Sequence, residues 1–566
     1  MNAPQRYQAW LRDPLIDQRT KAELSKLADN QEEIEDRFFR WLEFGTGGLR
    51  GTVGAGSNRM NIYTVRLVTQ ALANFLKSKG IANRGAAISY DSRNMSSEFA
   101  REAANVLVGN GIPVFVFAEM APTPLLSFAV RHCQAAAGII ITASHNPPEY
   151  NGYKAYNQHG NQFLPDDALA ISSQMSELSL ADVLLDPRGE KSGLWRWWGQ
   201  EVCQAYIKSL LEIAPSGSEV ENLRVLYTPL HGTGARFVPE VLKRAGFKKI
   251  ETVAEQMIPD GNFPTVRFPN PQETASFRLG FQYAAKQPFD LIIATDPDAD
   301  RMGAAVNQKG DWVLLDGNHI GILLLDFILS RLPAGELQEA VVIKTIVTTE
   351  MTEPIAEKYG VEVYNTLTGF KYIGALMDQL AAEGKHFLFG FEESYGYLAG
   401  TAIRDKDAVL ASLLIAQAAA FYQKKGLSLQ DRLEELMQEH GYYLQDQVAY
   451  SFSTSREAER SQEFIRQLQQ APIEKIGAEK VLKVLDYDRS KSLDLRTAKE
   501  SVLDFPQERA LQWITEKNSK ITLRPSGTEP KMKLYLEVAD SAQNRALQRL
   551  EDLKNAFSQI VKKGIG

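Results

Sequence analysis

Two cysteines, Cys133 and Cys203, are all that 566 residues contain. So sparse and distant a pair excludes a disulfide framework or a cysteine-held zinc, and it fits a reducing compartment. Basic charge is short as well: 63 Lys and Arg against 70 Asp and Glu leave a net charge of −7. That balance gives no electrostatic footprint for nucleic acid or an anionic membrane. Long apolar runs are missing too. The longest, Ala408 to Phe421, contains Ser412 and Gln417 and falls short of the ~20 residues a membrane span needs. It reads as a buried helix. The amino-terminal Met-Asn-Ala-Pro-Gln-Arg-Tyr lacks the basic-then-apolar pattern of a secretion signal. The expectation is a soluble cytoplasmic protein, monomer or dimer, without nucleic-acid or membrane partners. Two absent motifs narrow the chemistry further. No Gly-x4-Gly-Lys-Ser/Thr occurs, so a nucleotide P-loop is not supported. No Gly-x-Ser-x-Gly elbow occurs, which argues against an acyl-transferring hydrolase.

What is present is ordinary in bulk, with 44% hydrophobic and 23% charged residues. The length exceeds what one core supports and predicts about three to five domains. Helical, charge-rich sequence through Trp41 leads into the glycine-rich Gly45-Thr46-Gly47-Gly48-Leu49-Arg50-Gly51. Strand and helix patterns then alternate: a helix over Thr64–Ser78, a strand over Ala86–Tyr90, a helix over Ser97–Gly109, then strands at Pro113–Phe117 and Gly138–Ile141. The cycle restarts at Leu223–Tyr227 and again at Ala340–Lys344. From about Tyr443 the pattern becomes α+β, with an alternating strand over Met532–Val538 and a final helix. The predicted fold class is α/β: three consecutive domains with mixed or parallel sheets, then a smaller α+β domain, around a central cleft. The boundaries expected are 1–210, 211–325, 326–442 and 443–566.

Four loops carry chemistry. Thr142-Ala143-Ser144-His145-Asn146-Pro147 follows a buried strand, where open α/β sheets bind ligands. Ser144 there suits a nucleophile or phosphate carrier, although serine is also an ordinary turn residue. Asp296-Pro297-Asp298-Ala299-Asp300-Arg301 places three carboxylates at alternate positions after another strand. They can converge on one hard cation and leave room for a phosphate oxygen, which suits Mg²⁺; the competing reading is a solvent-exposed acidic turn. An EF-hand does not fit, since Arg301 and Asn307 stand where such a loop needs glycine and glutamate. Arg524-Pro525-Ser526-Gly527-Thr528-Glu529, with Lys531 and Lys533 nearby, resembles a phosphate clasp, or else a plain turn. Gly390-Phe391-Glu392-Glu393-Ser394-Tyr395-Gly396, between strand and helix, pairs carboxylates that can accept from sugar hydroxyls; a helix start is the alternative. Thr368-Gly369-Phe370-Lys371, Arg404 and Lys406 are weaker signals of the same kind, and Arg50 could reach a phosphate.

Together these motifs, in this order and spacing, resemble those of the α-D-phosphohexomutases over nearly the whole chain. Phe44 to Gly51, Pro147 to Lys154 and Gly390 to Tyr397 look most like the longer phosphoglucomutase/phosphopentomutase branch. The resemblance implies a phosphoserine at Ser144 and one Mg²⁺ per chain, held by Asp296, Asp298, Asp300 and a phosphoserine oxygen. It implies sugar contacts from Glu392 and Ser394, and a phosphate grip from Arg524, Ser526, Gly527 and Thr528. Arg50 and Arg301 would stabilise charge. His145 and Lys154 would be candidates for proton transfer, and a lysine base demands a depressed pKa. Thr368, Gly369, Lys371, Lys406 and Lys533 match substrate-contacting positions.

The activity implied is interconversion of α-D-glucose 1-phosphate and glucose 6-phosphate through a glucose 1,6-bisphosphate intermediate and activator. Phe391 stands where many glucose enzymes have glycine, which leaves ribose or deoxyribose 1-phosphate open, and a sugar-bisphosphate synthase is a further alternative. A non-catalytic sugar-phosphate sensor would need neither Ser144 nor the aspartates. An aspartyl-phosphate enzyme using Asp296-x-Asp298 would expect Thr or Val at Asp300.

Overall fold

The computed structural model describes every residue except 46, 215–217, 453–454, 526–530 and 566. The chain gathers into two compact units, Met1–Leu324 with Phe370–Leu429, and Leu325–Gly369 with Gln430–Gly566. The expected third region, 326–442, contributes to both.

The first unit holds two sheets. One is six-stranded, in the order β1 (Leu49–Thr52), β5 (Tyr150–Asn157), β4 (Ala137–Ile141), β2 (Ala86–Tyr90), β3 (Val114–Phe117) and β6 (Trp195–Trp198). Strands β4, β2, β3 and β6 run parallel, whereas β5 pairs antiparallel with both β4 and β1. The sheet is therefore mixed. The alternation of strands and helices foretold the parallel part, but in β5 the strand-favouring Tyr150, Tyr153 and Tyr156 recur every third residue among Asn, Gly, Lys and Ala, so no period-2 pattern marks it. Its pairing on both sides makes it a strand. The continuous Ala137–Ile141 run is fully buried, as a strand covered on both faces requires.

The second sheet runs β11 (Asp311–Leu314), β10 (Met302–Gln308), β9 (Leu291–Thr295), β7 (Arg224–Thr228) and β8 (Lys249–Thr252), with β9, β7 and β8 parallel. Three amino-terminal helices, Ala3–Arg12, Gln18–Ser25 and Gln31–Phe38, are capped by Asn2, Asp17 and Asn30. They pack a separate apolar cluster, including Tyr7, Trp10 and Phe38, against Tyr63. The Ala408–Phe421 run lies in a buried helix, Ala408–Lys424, whose first N–H groups are capped by the Asp407 carboxylate.

In this unit β14 (His386–Glu392) and β15 (Gly396–Ala399) pair antiparallel, with Glu392 opposite Gly396. Glu393, Ser394 and Tyr395 thus form a hairpin turn. The sequence pattern pointed to a strand-to-helix junction there, because acidic residues in series also suit a first helical turn. A cross-strand ladder overrides that local preference.

The second unit contains the parallel pair β12 (Ala340–Thr345) and β13 (Glu362–Thr366). It also holds a large antiparallel sheet in the order β16 (Tyr442–Ser451), β23 (Lys531–Asp540), β22 (Lys520–Pro525), β21 (Leu511–Thr515), β18 (Glu479–Asp486), β19 (Lys491–Asp494) and β20 (Lys499–Val502); β17 (Lys475–Ile476) pairs with β18. Helices Ser455–Gln470 and Gln543–Ile565 cover one face over Trp513, Leu523 and Leu534.

Candidate active site

Ser144 follows β4 by three residues and adopts φ = 52°, an uncommon conformation for a side-chain-bearing residue. Its N–H donates to Thr142 Oγ1 at 2.8 Å. The neighbouring strand must pass very close: a Cβ on Gly152 would lie 2.5 Å from the Thr142 carbonyl oxygen. So placed, the Ser144 hydroxyl donates to Asp296 Oδ2 at 2.7 Å and lies 3.2 Å from His145 Nδ1.

Asp296 begins the connection between β9 and β10, which pair antiparallel with Thr295 opposite Met302. The Asp296 carboxylate turns back to accept from the N–H groups of Asp300 and Arg301. Gly232 braces the outside of this loop: a Cβ there would lie 2.4 Å from Pro297 Cα, and Thr233 N–H donates to the Pro297 carbonyl. The loop is buried, with Asp296, Asp298 and Asp300 at most 1% exposed, which rules out the solvent-exposed acidic turn. One oxygen from each of the three lies within 4.8 Å of the others.

Their surroundings are asymmetric. Lys154 Nζ donates to Asp298 Oδ2 at 2.7 Å and to Asp300 Oδ2 at 3.1 Å, while Lys406 Nζ approaches Asp300 Oδ2 at 3.3 Å. Burial and the two neighbouring carboxylates push the Asp296 carboxyl well above its ordinary range. Burial acts in the same direction on Asp300, but Lys154, Lys406 and Arg301 outweigh it and hold that carboxyl low. Lys154 responds in kind. Burial alone would lower its pKa, yet Asp298 and Asp300 hold it above the ordinary lysine value. Its ammonium is a counter-charge to those two carboxylates. His145 goes the other way, driven well below its usual value by burial and by Arg301 and Arg50. It is neutral at pH 7.

Two buried oxygens, Asp298 Oδ1 and Asp300 Oδ1, accept no hydrogen bond among the described residues. Unfilled oxygens on a buried cluster of carboxylates are costly unless a cation joins them. The donor set is all oxygen, which fits a hard divalent ion. Thr123 was not singled out in the sequence, yet its Oγ1 donates to Asp298 Oδ2 at 2.8 Å and its N–H to the Asp298 carbonyl. It leaves Oδ1 as the free face of that carboxylate.

The remaining candidates fall into two groups. In the first unit, Arg50 reaches Asn146 Oδ1 at 3.0 Å, and Arg301 Nε lies 3.8 Å from Asp300 Oδ1. Glu392, buried at the end of β14, helps to hold Lys406 protonated after Asp300 and Asp405, against the lowering effect of burial. Lys371 is buried with its ammonium 4.9 Å from the Tyr372 ring centre, and Ser394 is half-buried in the hairpin turn. Lys371 and Lys406 are both buried. In the second unit, Glu508 joins Thr368 Oγ1 (3.3 Å) to Arg524 Nε (2.5 Å), and Gly369 follows Thr368. Lys533 is exposed and lies opposite Arg524 across β22 and β23. Ser526, Gly527 and Thr528 lie outside the described residues.

Models of phosphoglucomutase/phosphomannomutase α/β/α domains I, II and III match residues 42–182, 204–310 and 316–440, and the model of the C-terminal domain matches 477–554. The chain belongs to the phosphoglucomutase/phosphomannomutase family. It has the family's four-domain architecture, three α/β domains and a β-rich fourth. A phosphoglucomutase of Staphylococcus saprophyticus is 36% identical over 94% of this chain and 96% of its own length. One of Staphylococcus epidermidis is 35% identical over 92% of this chain and 95% of its own. Among solved structures, the open form of the Paramecium phosphoprotein pp63/parafusin, a phosphoglucomutase by name, superposes with a TM-score of 0.69 at 20% identity. That match covers 92% of this chain and 95% of the other, and speaks for the fold. The first domain model begins at residue 42, so the three capped helices before it lie outside that match.

Proposed function

We propose that this family member interconverts α-D-glucose 1-phosphate and glucose 6-phosphate, with Ser144 as the phosphoryl carrier. The observation that carries the reading is the Ser144 hydroxyl bonded to Asp296 in a buried three-carboxylate cluster with two unfilled oxygens. Relatives named phosphoglucomutase, aligned over nearly their full length, support the hexose substrate ahead of a pentose phosphate or a bisphosphate-synthase role.

The carboxylates of Asp296, Asp298 and Asp300 suit Mg²⁺, which when bound would neutralise charge on the transferring phosphoryl group. The chain's own groups do the rest. The sugar monophosphate offers a free hydroxyl to phosphoserine 144; the new sugar O–P bond forms as the Ser144 Oγ–P bond breaks. The hydroxyl proton is lost as Ser144 Oγ regains one, and the sugar leaves that step as glucose 1,6-bisphosphate. Ser144 Oγ then takes the other phosphoryl: the Oγ–P bond forms as that sugar O–P bond breaks, neutral His145, 3.2 Å from Oγ, is placed to accept the serine proton, and the sugar oxygen takes up a proton to become a hydroxyl. Lys154, bonded to Asp298 and Asp300, is placed to offer charge to phosphoryl oxygens. Glu392 and Ser394 are suited to sugar hydroxyls, and Arg524 to the non-reacting phosphate. The bisphosphate serves as activator by phosphorylating Ser144.

The test compares kcat/KM for glucose 1-phosphate and ribose 1-phosphate, beside intact mass of the resting protein. A large excess for glucose 1-phosphate, with one phosphoryl mapped to Ser144, is the expected result. A preference for the pentose would replace the substrate. A mass unchanged by sugar phosphates would overturn the carrier.

A further inference from the structure

A serine at φ = 52° keeps that conformation only where its surroundings over-determine it. The side chain that does so is Arg93, which lies just past β2 at the same sheet edge as Ser144. Arg93 and its neighbour Asp91 have fully buried side chains. Arg93 Nη1 donates to the carbonyls of Pro147 at 2.8 Å and Tyr150 at 3.0 Å. Nη2 donates to the carbonyls of Ser144 at 2.6 Å and Asn146. Four of the five N–H groups of one guanidinium are thus directed at the stretch from Ser144 to Tyr150.

The fork has a charge partner and a ring behind it, although Asp91 Oδ2 and Arg93 Nε form an ion pair without a hydrogen bond. Asp91 Oδ2 lies 3.5 Å from Arg93 Nε, and Asp91 Oδ1 accepts from Arg93 N–H and from Ser96 Oγ. The Phe263 ring lies under the guanidinium at 4.9 Å. Gathering four carbonyl oxygens onto one cation turns the negative ends of those peptide dipoles toward Arg93. The Ser144 hydroxyl is left to Asp296 and His145. A lysine, with three donors on a point charge, cannot reproduce the arrangement.

We propose that Arg93 is the positioning residue of the phosphoryl carrier: its buried fork holds the Ser144 turn in register with Asp296 and supplies a fixed positive charge behind it. The inference rests on Ser144 being the carrier. Arg93 touches neither sugar nor phosphoryl in this role; it acts through the backbone, where a displacement of about 1 Å can cost about a hundredfold in rate.

The test uses the full-length wild type, Arg93→Lys and Phe263→Leu, each dephosphorylated, then incubated with Mg²⁺ and glucose 1,6-bisphosphate. Labelling is followed by intact mass and peptide mapping, beside steady-state kinetics and circular dichroism. Arg93→Lys is expected to fold, to label Ser144 about a hundredfold more slowly and to lose kcat in proportion, with KM within about threefold. Phe263→Leu, which keeps every carbonyl bond, should slow labelling by about threefold to tenfold at unchanged KM. A folded Arg93→Lys protein that labels and turns over within about twofold of wild type overturns the proposal. If Arg93→Lys does not fold, an unchanged labelling rate in Phe263→Leu does the same. Should the wild type carry its phosphoryl on another peptide, the carrier reading fails and this one with it, and the labelled peptide tells that result from the others.

Discussion

Each unit of this protein buries a cluster of charges, and the two clusters are built to opposite plans. In the second unit, Lys344 Nζ donates to Glu350 Oε2 at 3.0 Å and to Asn365 Oδ1 at 2.7 Å. Lys520 Nζ donates to Glu350 Oε1 at 2.5 Å and to the Thr348 carbonyl at 2.8 Å. Glu537 accepts from Gln445 Nε2 and from Glu350 N–H. None of these side chains leaves a buried polar atom without a partner. In the first unit, Asp298 and Asp300 each keep one buried oxygen that accepts nothing among the described residues. A cluster complete in itself ties strands together; a cluster short of a cation is waiting for one. Buried charge alone therefore does not mark a site; unfilled oxygens on converging carboxylates do.

The sharpest way to break this contrast is at the serine beside the unfinished cluster. Ser144→Ala should reduce turnover by about 10⁴-fold or more and abolish the added phosphoryl mass, while urea midpoints stay near wild type. Residual turnover near the wild-type rate would remove the first cluster from the chemistry. Asp298→Asn comes next. It should cost about 10²–10³-fold in activity and erase the rise in Tm on adding Mg²⁺. Because it relieves repulsion among buried carboxylates, the metal-free Tm should hold or rise. A large fall in metal-free Tm would mean that the aspartates are structural, like the charges of the second unit.

Lys520→Met reverses the pattern. It leaves Glu537 without its ammonium and Glu350 with Lys344 alone, and should destabilise the second unit by about 3 kcal/mol, read from urea unfolding. The Mg²⁺-dependent Tm shift should persist.

The smallest effect is in pH, where the two units differ in sign. Burial pushes the Asp407 carboxyl in the first unit from 3.8 up to about 7, against the lowering pull of its bonds to Leu410 N, Tyr206 and Val409 N. Its contribution to stability is fully present below 3.8 and is lost as pH rises through about 7. Burial would also raise Glu350, but Lys520 and Lys344 hold it at about 2, below the usual 4.5. Its contribution is present above 4.5 and is lost as pH falls through about 2. Asp407→Asn, which retains an N-cap, should flatten the first dependence only; Glu350→Gln should flatten the second only. Chemical denaturation across pH measures both, and equal slopes in either variant and wild type would refute the assignment.

Much of this was legible in the sequence for a local reason. The runs Ala137–Ile141 and Leu291–Thr295 are apolar enough to be strands wherever they lie, and the residues that end them, Ser144 and Asp296, follow. The Ala408–Lys424 helix was legible in the same way. Strand β5 and the Glu392–Gly396 hairpin were not, because tyrosines at every third position in one and a four-residue partner strand in the other give no period-2 signal. Arg93, Thr123 and Glu508 were missed as well. Each stands in an unremarkable stretch; the clue available for Arg93 was its place just past a strand in the same sheet as β4.

By itself, then, the chain determined which chemical groups exist and at which strand ends they emerge, since periodicity and side-chain type are local properties. Only the tertiary structure decided which groups meet. Ser144 and Asp296 are 152 residues apart, and Lys154 and Asp300 are 146 apart. No local rule pairs them. Packing the strands brings them within hydrogen-bond reach, raises the pKa of one aspartate, lowers that of another and raises that of Lys154. Those differences arise from burial and proximity, which a linear sequence does not contain.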